Sequence, residues 1–277
     1  MVSDFVLINL NLIMAVNAFE GLKNKVAIIT GASSGIGAET AIYFAKLGCR
    51  LVITGRNTEN LEATKQKCQA AAQKPDDVVS IIGDVCKSAD CQAIVQKALD
   101  SFKSIDVLIN SAGILVPGTL ENTTEEDYDR QMDGNVRSVF LLTKCALAHL
   151  IASKGTIVNV SSVCGTRVFP GICVYNMSKA ALDSFTQTLA LEMAPHGVRV
   201  NSVNPGVIVT DIHRRGGMND EQYKQYLEHS KTTHALGRVG TCEEVATSIA
   251  FLASSASSFT TGALLPIDGG RAIMCPR

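Results

Sequence analysis

From Lys25 onward, short β-branched runs alternate with longer stretches whose apolar residues recur at helical spacing. The runs Val26–Thr30, Leu51–Thr54, Val78–Ile82, Val107–Ile109, Thr156–Val160, Val198–Val203 and Leu264–Ile267 read as strands. Their nearly unbroken apolar character is that of strands covered on both faces. Helical periodicity marks Ile36–Leu47, Thr58–Ala72, Ala89–Phe102, Glu125–Ala152, Val174–Ala194 and Cys242–Ala253. Such alternation requires right-handed crossovers, so the pattern predicts an α/β fold, a doubly wound parallel sheet of about seven strands with helices on both faces. No repeat, low-complexity tract or linker divides residues 22–277, which are expected to form a single domain. The rhythm breaks between Ile208 and Gly240, where the chain turns polar and rich in His, Arg and Gly. Long insertions of this kind are lids, binding loops or disordered excursions, and 208–240 is expected to be a substrate lid.

An apolar fraction of 46% in 277 residues is ample for a buried core without covalent staples. The net charge of −1 gives no field that favours nucleic acid or an anionic membrane, which leaves a small molecule as the expected partner. Nine cysteines form neither a C-x-x-C pair nor a zinc-spaced cluster, and an odd number cannot close into a disulfide framework. They read as reduced thiols of a cytoplasmic protein, with Cys49, Cys68, Cys145 and Cys164 as small buried apolar residues. Residues 1–21 form an apolar extension. Its stretch from Phe5 to Val16 is broken by Asn9 and Asn11 and preceded by Asp4, a poor signal peptide. It is also shorter than the roughly 20 residues of a membrane span. It is either an amphipathic or membrane-surface lead-in or a dispensable leader, with Met14 as an alternative start.

The first strand runs into Thr30-Gly31-Ala32-Ser33-Ser34-Gly35-Ile36-Gly37, and the helix begins inside that turn. Free backbone N–H groups and the helix dipole there suit a pyrophosphate, and the glycines let the backbone come close to it. Gly31, Ser33, Ser34, Gly35, Ile36 and Gly37 are therefore candidate cofactor ligands. A structural glycine turn would look the same, and only its place between strand and helix favours the dinucleotide. After the second strand, where an acid would hold the ribose 2′-hydroxyl of NAD, the chain has Thr54-Gly55-Arg56-Asn57. No carboxylate repels a 2′-phosphate, and Arg56 offers paired hydrogen bonds to one, so NADP(H) is favoured, with Asn57 beside it. The competing reading makes Arg56 the start of a solvated helix face. Asp84, with Val85 after the third strand, is placed to accept from adenine or to cap the next helix.

Tyr175-Asn176-Met177-Ser178-Lys179 puts a phenol and an ammonium on one helix face. A nearby positive charge favours phenolate, so Tyr175 is a candidate acid/base for moving the alcohol proton. Ser162, after the fifth strand, is placed to bond the substrate oxygen where charge develops. Tyr-x-x-x-Lys alone is common on amphipathic helices. It gains weight from the glycine turn, from Ser161-Ser162 and from Asn110-Ser111-Ala112-Gly113 after the fourth strand.

With these elements the chain resembles the short-chain dehydrogenase/reductases from Leu22 to Gly270, and also shares Asn135, Asn204-Pro205-Gly206 with Thr210, and Pro266-Ile267-Asp268-Gly269-Gly270. Within the family it looks like 3-oxoacyl-carrier-protein-reductase-like members of an animal, insect-type branch. The resemblance implies that Tyr175 is the catalytic acid/base, that Ser162 steadies the substrate oxygen, and that Lys179 holds the nicotinamide ribose and lowers the tyrosine pKa. It implies that Asn135 supports Lys179 through a water-linked relay. Asn110, Ala112, Gly113, Pro205, Gly206, Val207, Ile208 and Thr210 would contact the cofactor. It implies no metal and a homotetramer or homodimer. One departure is Ser111, where the family usually has a second asparagine.

Three functions remain open: a reductase or dehydrogenase of a lipophilic ketone or secondary alcohol, a 3-oxoacyl-thioester reductase of fatty-acid synthesis, and a non-catalytic NADP-binding protein. Gly165, Phe169 and Val207 are candidate pocket residues. His213, Arg214 and Arg215 would suit an acidic carrier protein or a solvated face equally.

Overall fold

A computed structural model describes residues 19–274. The expectations placed on the leader, including the start at Met14, lie outside them for residues 1–18. Seven strands, β1 (Val26–Ile29), β2 (Arg50–Gly55), β3 (Val78–Ile82), β4 (Val107–Asn110), β5 (Thr156–Val160), β6 (Arg199–Pro205) and β7 (Leu264–Ile267), form one sheet. Their order is β3-β2-β1-β4-β5-β6-β7 and every pairing is parallel. The helices are α1 (Gly35–Lys46), α2 (Thr58–Ala71), α3 (Ser88–Phe102), α4 (Glu125–Met132), α5 (Ser138–Ser153), α6 (Cys173–Met193), α7 (Ile212–Arg215), α8 (Asp220–Thr232) and α9 (Cys242–Ala253).

Successive strand residues point to opposite faces, so one strand feeds two cores. Ala27, Ile29, Leu51 and Ile53 meet Phe44 of α1, Leu61 of α2 and Ile249 of α9. Ile28, Val52, Leu108 and Ile157 meet Ile94 of α3, Leu142 of α5 and Leu189 of α6. The run Glu125–Ser153 is long and apolar enough to cross a bilayer. Its Leu142, Ala146 and Leu150 are instead buried in this second layer, which makes it a core helix. The eight described cysteines are free thiols. Burial pushes Cys49 and Cys68 up to about 12, while Cys145 is only half-buried.

Two elements differ from the expectation. The helix expected over Glu125–Ala152 is interrupted by a widened π turn at Asp133–Arg137, which apolar periodicity does not register because the residues on either side keep their faces. Between β6 and α9, where low apolar content suggested irregular chain, stand α7 and α8. Asn219 and Gln222 close a reciprocal capping box at the start of α8, so end chemistry supplies what periodicity lacked.

The turn from β1 to α1 leaves no room for side chains at Gly31 and Gly37. Gly31 has φ +65, and a side chain on Gly37 would place its Cβ 2.5 Å from the Gly31 carbonyl oxygen. Backbone atoms on both sides leave no flexible group to yield. Gly37→Ala should therefore cost about 1–3 kcal/mol and open the turn, lowering both the melting temperature and the affinity for nicotinamide dinucleotide. A melting curve and a cofactor titration check it; an unchanged pair would show that the turn tolerates a methyl group.

Candidate active site

Parallel strands all deliver their following loops to one edge of the sheet, and the order reverses between β1 and β4. A cleft of about 1540 Å³ opens there, as expected at a topological switch point. Gly31, Ser33, Ser34, Gly35, Ile36 and Gly37 line one end of it. Ser34, at the cap position of α1, makes no side-chain capping bond, so the first N–H groups of α1 keep their capacity for an anion. The Thr30 hydroxyl accepts from the Ser111 and Ala112 N–H groups, both at 3.0 Å, which fixes the loop after β4 against this turn. Ser111, Ala112 and Gly113 line the cleft. Asn110 does not: its amide is buried and donates to Thr143 Oγ1 and Asn159 Oδ1. Its part is to brace β4 against β5 from behind.

Gly55, Arg56, Asn57, Asp84 and Val85 line the cleft beyond the glycine turn. Arg56 is exposed and precedes α2, so it stands on the loop and not on the helix face. Asn57 caps α2, its Oδ1 accepting from Asn60 N at 2.8 Å. Asp84 does not cap α3, which begins at Ser88; one of its oxygens accepts from Cys86 N at 3.1 Å. A side chain at Gly55 would bring its Cβ within 3.0 Å of Ser33 Oγ, so this position is shaped by packing as well as by charge.

At the other end, Ser162, Tyr175 and Lys179 line the cleft together. All three are buried. Lys179 Nζ donates to the Val160 carbonyl at 3.0 Å and lies 5.7 Å from the centre of the Tyr175 ring. Ser162 Oγ accepts from Cys164 N at 3.1 Å. Asn135 is turned inward by the π turn: its Oδ1 accepts from Ile114 N at 2.8 Å, and its Nδ2 donates to Ile114 O and Ser178 Oγ. Asn135 thus holds the loop after β4 to α6. Gly113 leaves room beside the Asn135 oxygen and the Lys179 ammonium, 3.1 and 3.7 Å from where its Cβ would be.

Burial pushes the Tyr175 phenol well above the usual tyrosine range; Cys164 and Tyr226 add to this and the Ser162 hydroxyl offsets part of it. Lys179 was expected to lower this pKa; burial prevails at the phenol. Burial also brings the Lys179 ammonium down to about 8 despite the attraction of Asp183. In this geometry the phenol is a protonated acid.

A family model described as Enoyl-(Acyl carrier protein) reductase matches residues 31–272. An uncharacterized oxidoreductase of Thermotoga maritima is 37% identical over 249 residues, 90% of this chain and 97% of that one. The 3-oxoacyl-(acyl-carrier-protein) reductase FabG of Chlamydia muridarum is 38% identical over 253 residues, 91% and 98% of the two chains. A short-chain dehydrogenase/reductase of unknown function from Caenorhabditis elegans, solved with cofactor, superposes with a TM-score of 0.86 at 36% identity over 92% of this chain and 97% of that one. The chain belongs to the short-chain dehydrogenase/reductase family. As a short-chain dehydrogenase/reductase it is an oxidoreductase of alcohol or carbonyl groups that binds a nicotinamide cofactor.

Pro205, Gly206, Val207, Ile208 and Thr210 line the cleft on the side of β6, and two residues that sequence reasoning missed hold them there. His234 is buried; its Nε2 accepts from Val207 N at 3.1 Å while its Nδ1 faces Ser230 O at 2.7 Å. The Tyr223 hydroxyl donates to Thr210 O at 2.8 Å and accepts from Thr210 N at 3.2 Å. The capping box at Asn219 was the signal that would have placed Tyr223 on a helix. Phe169 and Val207 line the cleft as expected. Gly165 does not, because it packs on Asp183, whose carboxylate a side chain there would strike. Of the basic cluster, Arg215 donates to Ser34 Oγ at 3.1 Å, and Arg214 pairs with Asp211 and Asp220.

The buried Lys179 makes stability depend on pH. Its pKa falls from 10.5 unfolded to about 8 folded, so the unfolded chain binds the extra proton between these values and stability rises with pH across that window. The cost of burying the ammonium is on the order of 3 kcal/mol below pH 8 and is relieved towards pH 10.5. Cofactor-free wild type should therefore gain stability relative to Lys179→Met between pH 8 and 10. Parallel pH curves of the two melting temperatures would refute this burial cost.

Proposed function

We propose that this protein is an NADP(H)-dependent carbonyl reductase and alcohol dehydrogenase acting on a lipophilic ketone or secondary alcohol. The observation that carries the reading is the convergence of Ser162, Tyr175 and Lys179 at one end of a cleft whose other end is an anion-ready helix terminus. The cofactor supplies or accepts the hydride. Gly31, Ser33, Ser34, Gly35, Ile36 and Gly37 would hold its pyrophosphate, Arg56 its 2′-phosphate, Asp84 and Val85 its adenine, and Lys179 with Pro205–Thr210 its nicotinamide end. The fit rests on the uncapped start of α1 and on the absence of an acid at Gly55.

In carbonyl reduction Tyr175 gives its phenolic proton to the substrate oxygen while Ser162 donates a hydrogen bond to the same oxygen. A phenol held protonated by burial suits this direction. Lys179, near neutrality and close to the ring, is placed to replace the proton. Asn135 acts on the site by fixing Ile114 and α6. The segment 208–240 would act as the lid, through the Arg215 contact to Ser34 and the Tyr223 contacts to Thr210. A cytoplasmic homotetramer or homodimer follows the habit of the family. The relatives named for 3-oxoacyl reduction favour a thioester substrate as a second reading.

The test is kcat/KM with NADPH and NADH over ketones, quinones and acyl thioesters. NADPH should win by roughly ten- to a hundredfold, the worth of one charge-assisted contact, and Arg56→Ala should erase that margin without improving NADH. Tyr175→Phe should lose about 10²- to 10⁴-fold in turnover yet still bind NADPH. Preference for NADH in wild type would overturn the role of Arg56; turnover surviving in Tyr175→Phe would overturn that of the phenol.

A further inference from the structure

Arg271 follows the last strand and lies in the short turn Arg271–Ile273. Its side chain enters the cleft at the end that holds Tyr175. The guanidinium carbon lies 4.7 Å from the centre of the Phe169 ring. Phe169 and Ala272 pack against the small apolar cluster of Val163, Cys164 and Tyr175, one side-chain layer from the phenol. The Nε and Nη1 atoms of Arg271 are buried and have no hydrogen-bond partner, and no acid pairs with it among the described residues.

Two guanidinium N–H donors held out of water without an anion are costly, and neither stacking on Phe169 nor the neighbouring Tyr226 hydroxyl satisfies Nε and Nη1. The donors are instead available to a planar anion that enters the cleft. The cofactor phosphates are not that anion: their site is the glycine turn, where Arg215 already bonds Ser34. Around the guanidinium, the rings of His213 and Tyr226 meet at a tilt of 51° with centres 4.4 Å apart, and both line the cleft. Burial and Arg271 hold the His213 imidazole below its ordinary pKa, so this wall offers neutral rings and a single cation.

Resting on the oxidoreductase reading above, we infer that the substrate is a carbonyl compound bearing a carboxylate, which Arg271 binds while Tyr175 protonates the carbonyl oxygen. In the reaction a hydride from NADPH forms the new C–H bond, the carbonyl π pair moves to oxygen, and oxygen takes the phenolic proton; the carboxylate is unchanged. Because Arg271 and Tyr175 line the same cleft with only Phe169 and its cluster between them, the anion should lie within a few bonds of the reacting carbonyl. A carrier thioester has its phosphates much farther away.

The experiment measures NADPH oxidation with 4-acetylbenzoate, its methyl ester and acetoacetyl-CoA in wild type, Arg271→Gln and Arg271→Lys. Wild type should prefer the acid to the ester by roughly ten- to a hundredfold in kcat/KM. In Arg271→Gln that ratio should fall to near one, and Arg271→Lys should restore part of it. An acid-to-ester ratio near one in wild type, or one that survives in Arg271→Gln, overturns the inference. Loss of activity on acetoacetyl-CoA alone would assign Arg271 to thioester phosphates and overturn it as well. If wild type reduces none of the three, the carbonyl-reductase reading proposed above fails, and calorimetry of 4-acetylbenzoate on the NADPH-loaded protein decides the contact. Binding weakened at least tenfold by Arg271→Gln supports it, and unchanged binding overturns it.

Discussion

One buried hydroxyl joins the two halves of the cleft. Thr30, at the end of the first strand, accepts two backbone N–H groups from the loop after β4, at the point where the sheet reverses its winding. Without that pair of bonds the glycine turn and the loop carrying Ala112 and Gly113 would be free to part, and the cleft would lose its floor. The arrangement also explains why the glycine turn is so tight. A Cβ on Gly31 would fall 2.9 Å from the Ala112 backbone, so no side chain fits between.

Burial sets the electrostatics of the reacting end. Tyr175 and Lys179 lie on one face of α6 and both leave water on folding. Burial favours the neutral form of each, which makes the phenol a weaker acid and the ammonium a stronger one. The two pKa values therefore move apart, the tyrosine proton held more tightly and the lysine proton less so. Lys179 meanwhile gives its hydrogen bond to the Val160 carbonyl.

Most of the architecture was legible in the chain because parallel strands covered on both faces leave long apolar runs, and the seven strands followed those runs closely. Local chemistry was harder to read. The π turn that aims Asn135 inward preserves the faces of the helices it joins, so periodicity passes over it. Asn110 looked like a cofactor ligand because it precedes Ala112 and Gly113, but strand register turns its amide into the buried network with Asn159. Arg271 carried no signal beyond its place after two glycines. His234 and Tyr223 lay in a segment whose polarity hid a capped helix. The roles of Asn110, His234 and Tyr223 depend on contacts between residues distant in sequence, which spacing along one element does not encode.

The Cys164 thiol lines the same cleft, in the cluster that contains Tyr175. Burial raises its pKa, with Ser162, Arg271 and Lys179 only partly opposing. Thiols react with electrophiles as thiolates, and carbonyl compounds, above all conjugated ones, are electrophiles. Held as the thiol by burial, the Cys164 sulfur is a poor nucleophile towards such molecules when they enter the cleft.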